Sequence, residues 1–236
     1  MMKKNNLQEQ HARRNVLSDF ILGSQDGLVN VLGIILGISA ATRDIRLVFV
    51  ATLAALGAES ISMAAVAYTS TNARRRLYQS EVKREQQEMR DVPERETEEV
   101  REVLVRWGYE GRDLEELVKR ITANPKAWLE FMMSYELELA PVGAFEPRRS
   151  FLLVGGSTVV GSLIPLVPFF FVGGDVVHGA IVSIIISGVA LFFIGWYAAR
   201  TTMGSLWTSG VQMAVIGLSA GLIGFLIGHF VGATPL

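Results

Sequence analysis

The C-terminal part of the chain is almost free of charged side chains. From Ser150 to Leu236, Asp175 and Arg200 are the only residues of the types Asp, Glu, Lys and Arg. A water-soluble domain has to cover its surface with polar groups, and it cannot leave charges out over so long a run. This feature predicts a multi-pass membrane protein, in agreement with the hydrophobic content of 50%.

Five apolar segments approach the ~20 residues that a helix needs to span a bilayer. They are expected at about residues 19–41, 47–71, 149–172, 176–199 and 209–231. In the first segment Gly27, Gly33 and Gly37 are spaced to allow close helix contact, and the Gly33–Gly37 pair also supports dimerisation. In the third segment Pro165 and Pro168 predict a kink or an unwound turn.

An acidic, helix-prone stretch separates the second apolar segment from the third, and its charge is concentrated in Glu81–Glu138. Because no Pro or Gly interrupts Ser60–Arg90, the second helix is expected to continue into this stretch. Pro93, Gly108–Gly111 and Asn124-Pro125 predict the helix boundaries that follow, with Asn124 as an N-cap.

The last helix of this insert is expected to end at Pro141 and Gly143. Apolar side chains of the insert predict a small core of its own, formed by Leu104, Trp107, Leu114, Leu117, Ile121 and Trp128. The chain therefore divides into an N-terminal segment (1–18), spans one and two (19–76), a helical domain (77–146) and spans three to five (147–236).

Basic residues indicate the orientation, since they are enriched in cytoplasmic loops. With five spans, most of them fall on one side of the membrane: Lys3, Lys4, Arg13, Arg14, Arg74, Arg75, Arg76, Arg148, Arg149 and Arg200. The N-terminus and the insert are therefore expected in the cytoplasm, and the C-terminus outside. The predicted fold is an all-α membrane protein of five transmembrane helices with a cytoplasmic three-helix insert between spans two and three.

Composition excludes several classes of function. The net charge of −1 gives no indication of nucleic-acid binding, and the absence of cysteine excludes disulfides, iron–sulfur clusters and cysteine-bound zinc. His11, His178 and His229 are scattered rather than clustered. Because there is also no nucleophile motif with a base and no phosphate loop, the chain is not expected to be an enzyme.

Two carboxylates lie inside apolar segments, where an ionisable group is costly unless it faces a cavity or a partner. Asp26 is in the first segment, and Glu59 shares a helix face with Met63 in the second. A carboxylate beside a thioether suits a transition metal better than Ca²⁺ or Mg²⁺. The alternative is that Asp26 lies near the interface and that Glu59 pairs with a polar neighbour.

The insert offers further metal ligands. Three predicted helices carry five carboxylates and two thioethers at spacings of three and four residues, which share a helix face: Glu85, Glu88, Glu96, Glu99, Met132, Met133 and Glu136. Converging faces would form a cation site, which could bind several metal ions. Acidic pairs on a helix are otherwise a solvated surface.

These residues resemble the vacuolar iron transporter family over the whole chain. The matching stretches are SQDGLVNVLGIILGISAA, ESISMAAVAY and the Glu/Met pattern of the insert. The resemblance implies a homodimer that moves Fe²⁺ out of the cytosol in exchange for protons. It also implies that the insert binds metal through its carboxylates and methionines, and that Asp26 and Met63 are ligands of a membrane pathway at the dimer interface.

One position departs from the family pattern. Members of the family carry the second-span carboxylate two helical turns before the methionine, where this chain has Ala55, whereas Glu59 lies one turn before Met63. Glu59 is on the same helix face and is expected to substitute for that carboxylate at a different depth.

The leading hypothesis is thus a proton-coupled exporter of Fe²⁺, with Mn²⁺ and other divalent transition metals as further substrates. The metal is substrate rather than cofactor, and the expected partners are protons, membrane lipid and a second copy of the chain. The expected location is the cell membrane in a prokaryote and the vacuolar membrane in a eukaryote. The alternative hypothesis is a membrane-tethered metal buffer or sensor that does not transport.

Overall fold

The computed structural model describes residues 2–202 and 204–232, with side chains for 16–201 and 204–232. Every regular element in these ranges is helical, as predicted. The α-helices are α1 (Met2–Ala41), α2 (Ile45–Asp91), α3 (Pro93–Arg106), α4 (Gly111–Thr122), α5 (Pro125–Phe131), α6 (Glu146–Leu166), α7 (Val176–Thr202) and α8 (Leu206–Gly232). A π-helical turn, Met132–Glu136, follows α5, and a 3₁₀ turn, Val167–Phe170, follows α6.

Five helices of the described chain are long and apolar enough to cross a membrane, which confirms the predicted number of spans. The apolar helical stretches are Val16–Ala41, Ile45–Asp91, Glu146–Phe170, Val176–Thr201 and Leu206–Gly232. The second helix continues without a break through the acidic residues to Asp91, as predicted from the absence of Pro and Gly. Lys3, Lys4, His11, Arg13 and Arg14 are part of α1, but their side chains lie outside the described residues.

The chain forms two compact units. We call Met1–Tyr68 together with Arg148–Leu236 the membrane unit, and Thr69–Pro147 the insert unit.

Small residues bring the helices of the membrane unit close together. Gly33 and Gly37 of α1 face Gly224 and Gly228 of α8 so closely that a Cβ atom on Gly228 would collide with the Gly37 carbonyl oxygen. The predicted close contact of α1 is confirmed. However, its partner is α8 of the same chain, so this glycine pair no longer argues for a dimer.

Gly27 makes an equally close contact with another helix. A Cβ atom there would collide with the carbonyl oxygen of Thr158 on α6, and it would come within 2.6 Å of the Ser162 hydroxyl oxygen. Between the same two helices, the Ser150 hydroxyl in the first turns of α6 donates a hydrogen bond of 2.7 Å to the Asp19 carboxylate of α1. Backbone approach of this kind is typical of helices packed within lipid.

The predicted interruption of the third span lies at the end of α6. Pro165 is inside the last turn of the helix, which continues as a 3₁₀ turn that contains Pro168. The Ser183 hydroxyl of α7 donates a hydrogen bond of 2.7 Å to the Pro165 carbonyl oxygen. A buried side chain therefore satisfies a backbone group close to the interruption.

The helix boundaries of the insert unit follow local sequence signals. Pro93 begins α3, and Gly108 and Gly111 adopt positive φ values of 88° and 58° between α3 and α4. The Asn124 side chain caps α5 by accepting hydrogen bonds from the amides of Lys126 (3.0 Å) and Ala127 (3.3 Å). These boundaries are the predicted ones, because glycine tolerates positive φ and proline favours a first helical turn.

The end of the last insert helix is not where the sequence predicted it. The π-helical turn ends at Glu136, before Pro141 and Gly143. The amide of Leu137 donates to the Met132 carbonyl (3.0 Å), and Glu138 adopts a φ of 52°. The chain therefore leaves the helix by a left-handed residue, and neither Pro141 nor Gly143 is needed to stop it.

The insert unit has its own apolar core. Its buried members are Val100, Val103, Leu104, Leu114, Val118, Trp128, Phe131 and Met132, with Leu117 and Ile121 packed against them. Trp107 was expected in this core, but it is 51% exposed. Its ring lies at the edge of the core, packed edge-on against Phe131 at a centroid distance of 5.8 Å and against Tyr135 at 4.9 Å.

Candidate metal-binding site

Three carboxylates converge in the insert unit. Glu85 and Glu88 lie near the end of α2, and Glu96 lies in the first turn of α3. Val92 separates the two helices with a non-helical backbone, and α3 brings Glu96 to the other two. One oxygen from each side chain lies within 4.8 Å of those of the other two.

The burial of these carboxylates is unusual for acidic side chains. Glu85 is 2% exposed and Glu96 is 1% exposed. Within the described part of the chain, the Oε2 atom of each is buried and accepts no hydrogen bond from a donor group, while the two carboxyl groups lie within hydrogen-bonding reach of each other. An unpartnered buried carboxylate oxygen is costly, whereas a cation coordinated between these side chains would satisfy it.

The surroundings of Glu96 change its proton affinity. Burial, together with the negative charges of Glu99, Glu85 and Glu88, raises the pKa of Glu96 to about 7. Desolvation and like charge both disfavour the ionised form. Near neutral pH this side chain therefore exchanges its proton readily, and a divalent cation would compete with that proton for the same oxygens.

Glu99 and Glu136 lie beside the three converging carboxylates rather than among them. Both line a groove of about 720 Å³ together with other residues of α3. Burial, followed by the negative charge of Glu99, raises the pKa of Glu136, whose Oε2 atom is buried and has no partner among the described residues. Glu99 also forms an ion pair of 3.3 Å with Arg95.

The two methionines of the predicted site are buried. Met132 is 0% exposed and packs in the apolar core of the insert unit, and Met133 is 2% exposed. Both belong to the π-helical turn that also carries Glu136. π-Helical turns are rare in proteins overall, and those that occur are often found at functional sites.

One cation already contacts the carboxylates. Arg84 forms ion pairs with Glu81 (Nη2 to Oε2, 2.8 Å) and Glu85 (Nη2 to Oε1, 3.2 Å). Its Nε atom also lies 4.0 Å from Oε2 of Glu88. The guanidinium group is thus an ion-pair partner of Glu85 and Glu88, two of the three converging carboxylates.

The membrane unit places Asp26 and Glu59 together. The Asn30 side-chain amide of α1 donates a hydrogen bond to Oε1 of Glu59 on α2. The Asp26 carboxyl is a second hydrogen-bonding neighbour of Glu59. Both carboxylic residues are half-buried, as are Met63, one turn beyond Glu59, and Ala55, one turn before it.

A model of the VIT family matches residues 17–229. The chain belongs to the VIT family. This confirms the resemblance that the sequence stretches indicated.

Curated relatives of this VIT family member cover most of its length. It is 35% identical to vacuolar iron transporter 1 of Oryza sativa subsp. japonica, over 87% of this chain and 81% of that protein. It is 30% identical to vacuolar iron transporter 1 of Arabidopsis thaliana, over 97% and 93%. It is also 30% identical to protein CCC1 of Saccharomyces cerevisiae, over 90% and 68%.

The plant relatives are named as transporters and not as enzymes, which agrees with the expectation for this VIT family member. In those names iron is what is transported, so it is substrate rather than resident cofactor.

Sequence reasoning named the carboxylates of this family member but missed two residues beside them. Asn30 lies four residues after Asp26 on α1, a spacing that places both on one helix face. Arg84 lies four residues before Glu88 and next to Glu85. Both spacings were visible in the sequence, but neither an amide nor a guanidinium is a usual metal ligand.

Proposed function

We propose that this VIT family member exports Fe²⁺, and further divalent transition metals such as Mn²⁺, from the cytosol across a membrane in exchange for protons. The observation that carries the proposal is the convergence of Glu85, Glu88 and Glu96 within 4.8 Å. Two of these side chains have buried carboxylate oxygens without partners. The plant relatives are named for the transport of iron, which supports the choice of metal.

The insert unit captures the metal in this proposal. Glu85, Glu88 and Glu96 provide the first oxygen ligands, Glu99 and Glu136 provide further ones from the neighbouring groove, and Met132 and Met133 provide thioethers. Oxygen and thioether ligands together admit Fe²⁺, Mn²⁺ and other first-row divalent ions. The packing of Met132 in the apolar core means that its thioether reaches a metal after local rearrangement of the π-helical turn.

The exchange for protons follows from the same chemistry. The pKa of Glu96, raised to about 7 by burial, means that the empty site holds a proton during part of the time near neutral pH. Metal binding displaces this proton. In the membrane unit, Asp26 and Glu59 hold either a proton or the metal in turn, and Met63 adds a soft ligand beside Glu59.

The proposed arrangement in the membrane is the one that the basic residues indicate. The N-terminal segment (1–18) and the insert (77–146) are cytoplasmic, and spans one and two (19–76) and three to five (147–236) surround the pathway. In the insert, α3, α4 and α5 follow the extension of α2, and the proposed ligands lie on that extension, on α3 and in the π-helical turn.

We further propose that the transporter works as a homodimer with the pathway at its interface. The family resemblance supports this, and so does an open groove of about 510 Å³ along α1 and α8. The groove is apolar except for Asn30, the residue that hydrogen-bonds Glu59. A second copy in this groove would place a partner next to the ionisable residues of the membrane unit.

A second candidate function is a membrane-tethered metal buffer or sensor. It is favoured by the position of the three converging carboxylates, which all belong to the insert unit and would bind metal without any pathway. Asp26 and Glu59 argue against it, since ionisable residues within apolar helices are costly and are retained for function.

Metal uptake into proteoliposomes distinguishes the transporter from the metal buffer or sensor. The full-length protein is reconstituted, Fe²⁺ or Mn²⁺ is added outside under reducing conditions, and metal entry is followed with and without an acidic interior. We expect metal to accumulate inside, faster with the pH gradient, and the lumen to become more alkaline. Metal binding without entry would favour the buffer, and entry independent of the gradient would contradict proton exchange.

A further inference from the structure

Arg84 is an exposed cation that contacts two of the three converging carboxylates. Its side chain is 51% exposed, whereas that of Glu85, with which it pairs, is 2% exposed. The guanidinium group therefore forms the solvent side of an ion pair whose other half is buried. It contacts Glu85 through Oε1, while Oε2 of the same carboxylate is buried and has no partner in the described chain.

A positive charge at this position stabilises the empty site. Glu85, Glu88 and Glu96 bring three carboxyl groups within 4.8 Å of one another, and ionised carboxylates at such distances repel. Arg84 lies 3.2 Å from Glu85 and 4.0 Å from Glu88, so it neutralises part of this charge in the absence of metal.

The same charge opposes a metal ion. A divalent cation between the carboxylates would lie close to the guanidinium group, and an Arg side chain remains protonated at any physiological pH. The guanidinium cannot lose its charge, so it has to move away when the metal binds. Glu81 offers it another partner, because it pairs with Arg84 at 2.8 Å and is not among the converging carboxylates.

We propose that Arg84 is a built-in counter-cation of the metal site, which competes with the incoming metal for Glu85 and Glu88 and then remains paired with Glu81. This inference rests on the proposed function, since it assumes that the carboxylates bind a transported metal. Arg84 is a positioning residue here, because it acts through the carboxylates and does not bind the metal. Its consequence is a weaker and more readily reversed capture of metal, which suits a site that has to pass its metal on.

The test measures Fe²⁺ binding to full-length protein in detergent by anaerobic calorimetry. All variants carry Asp26→Asn and Glu59→Gln, so that the carboxylates of the membrane unit do not contribute. Against that background, Arg84→Gln should bind Fe²⁺ roughly tenfold more tightly, because one repulsive charge beside the metal is lost. Arg84→Lys retains the charge and should bind like the background protein.

Glu81→Gln should have the opposite effect. Without Glu81 the guanidinium has only Glu85 and Glu88 as partners, so Fe²⁺ binding should weaken by about threefold or more. Arg120→Gln is the matched control, because Arg120 forms a comparable exposed ion pair with Glu116 at 2.5 Å, away from the converging carboxylates. It should leave the affinity unchanged.

The outcomes separate the inference from the proposed function. If Arg84→Gln binds Fe²⁺ as the background does, or more weakly, while Arg84→Lys is normal, Arg84 does not compete with the metal and the inference is overturned. If Arg84→Lys tightens binding as much as Arg84→Gln does, charge is not the cause and the inference is again overturned. If the background protein itself binds no Fe²⁺, the metal site of the proposed function fails, and the inference fails with it.

Discussion

The carboxylates of the membrane unit and those of the insert unit are satisfied in different ways. Glu59 accepts a hydrogen bond from Asn30 and has Asp26 beside it, and both carboxylic residues are half-buried. In the insert unit, Glu85 and Glu96 are almost fully buried, and each has an oxygen without a partner among the described residues. This difference is what the proposed function uses: the insert unit would capture the cation, and Asp26 and Glu59 would exchange it for protons.

The largest effect is expected from removing a carboxylate of the membrane unit. Asp26→Asn keeps the size of the side chain and removes the charge, so Fe²⁺ uptake into proteoliposomes and metal-driven proton movement should both fall to background. Fe²⁺ binding by the insert unit of the same protein should remain. The loss is expected because the amide can neither release a proton nor replace an anionic ligand.

Asp44→Asn is the matched control, since Asp44 is an exposed carboxylate in the turn between α1 and α2. It should transport normally. If Asp26→Asn transports Fe²⁺ at a normal rate in a pH gradient, the Asp26 carboxylate is not on the pathway. Glu59 would then have to carry the exchange alone.

Removing the charges of the insert unit tests the other side of the comparison. The triple change Glu85→Gln, Glu88→Gln and Glu96→Gln should weaken Fe²⁺ binding by at least about a hundredfold, because loss of a supporting residue alone often costs 10–100-fold in metal affinity. Calorimetry and elemental analysis of the full-length protein measure the affinity and the number of bound ions.

Three exposed glutamates of the same unit serve as the control, namely Glu94, Glu116 and Glu130. Their simultaneous change to Gln alters the net charge equally and should leave binding intact. If the two triple variants lose Fe²⁺ affinity equally, binding depends on the overall negative charge of the unit and not on a specific site at the converging carboxylates.

The two units also differ in what holds them together. The membrane unit combines backbone approach at glycine with a cluster of large buried side chains, whereas the insert unit has a core of large side chains without such glycine contacts among its described residues. Gly228→Ala should therefore destabilise the protein by about 1–3 kcal/mol, since the added methyl group would collide with the Gly37 backbone. Thermal unfolding of the full-length protein in detergent measures this change.

Gly156→Ala is the matched control in α6, where an added Cβ atom meets nothing within 4 Å. It should be neutral or stabilise by about 0.5–1 kcal/mol, because alanine is the better helix former. If Gly228→Ala stabilises the protein as much as Gly156→Ala does, the close packing of α1 on α8 contributes nothing to the free energy of unfolding.

The smallest expected effect is the pH dependence of the metal-free insert unit. Burial raises the pKa of Glu96 from an ordinary value of 4.5 to about 7. The stability linked to this group is therefore fully present below about pH 4.5 and is lost as the pH rises through about 7. The melting temperature of metal-free protein should fall by a few degrees between pH 5 and pH 8.

Glu96→Gln should flatten this dependence, because the amide does not titrate. Added Fe²⁺ should reverse it in the unchanged protein, since metal binding strengthens as the proton leaves. A melting temperature that rises from pH 5 to pH 8 in the metal-free protein would show that Glu96 is ionised throughout.

Much of the fold could be predicted from the sequence because its causes are local. The five apolar stretches, the break at Pro93 and the Asn124 cap each depend on residues that are neighbours in the chain. The absence of Pro and Gly from Ser60–Arg90 is also a local feature, and it predicted that α2 continues without a break to Asp91. The identity of the candidate ligands was also predictable, since Glu and Met at spacings of three and four residues share a helix face.

The sequence by itself determined where helices begin and which faces carry carboxylates, and only the tertiary structure decided which of those faces meet. Glu85, Glu88 and Glu96 converge while Glu99 lies beside them, and Gly37 packs on α8 of the same chain. The physical reason is that hydropathy, caps and helical periodicity act between residues a few positions apart. The pairing of distant helix faces depends on how side chains and backbones of the whole unit fit together.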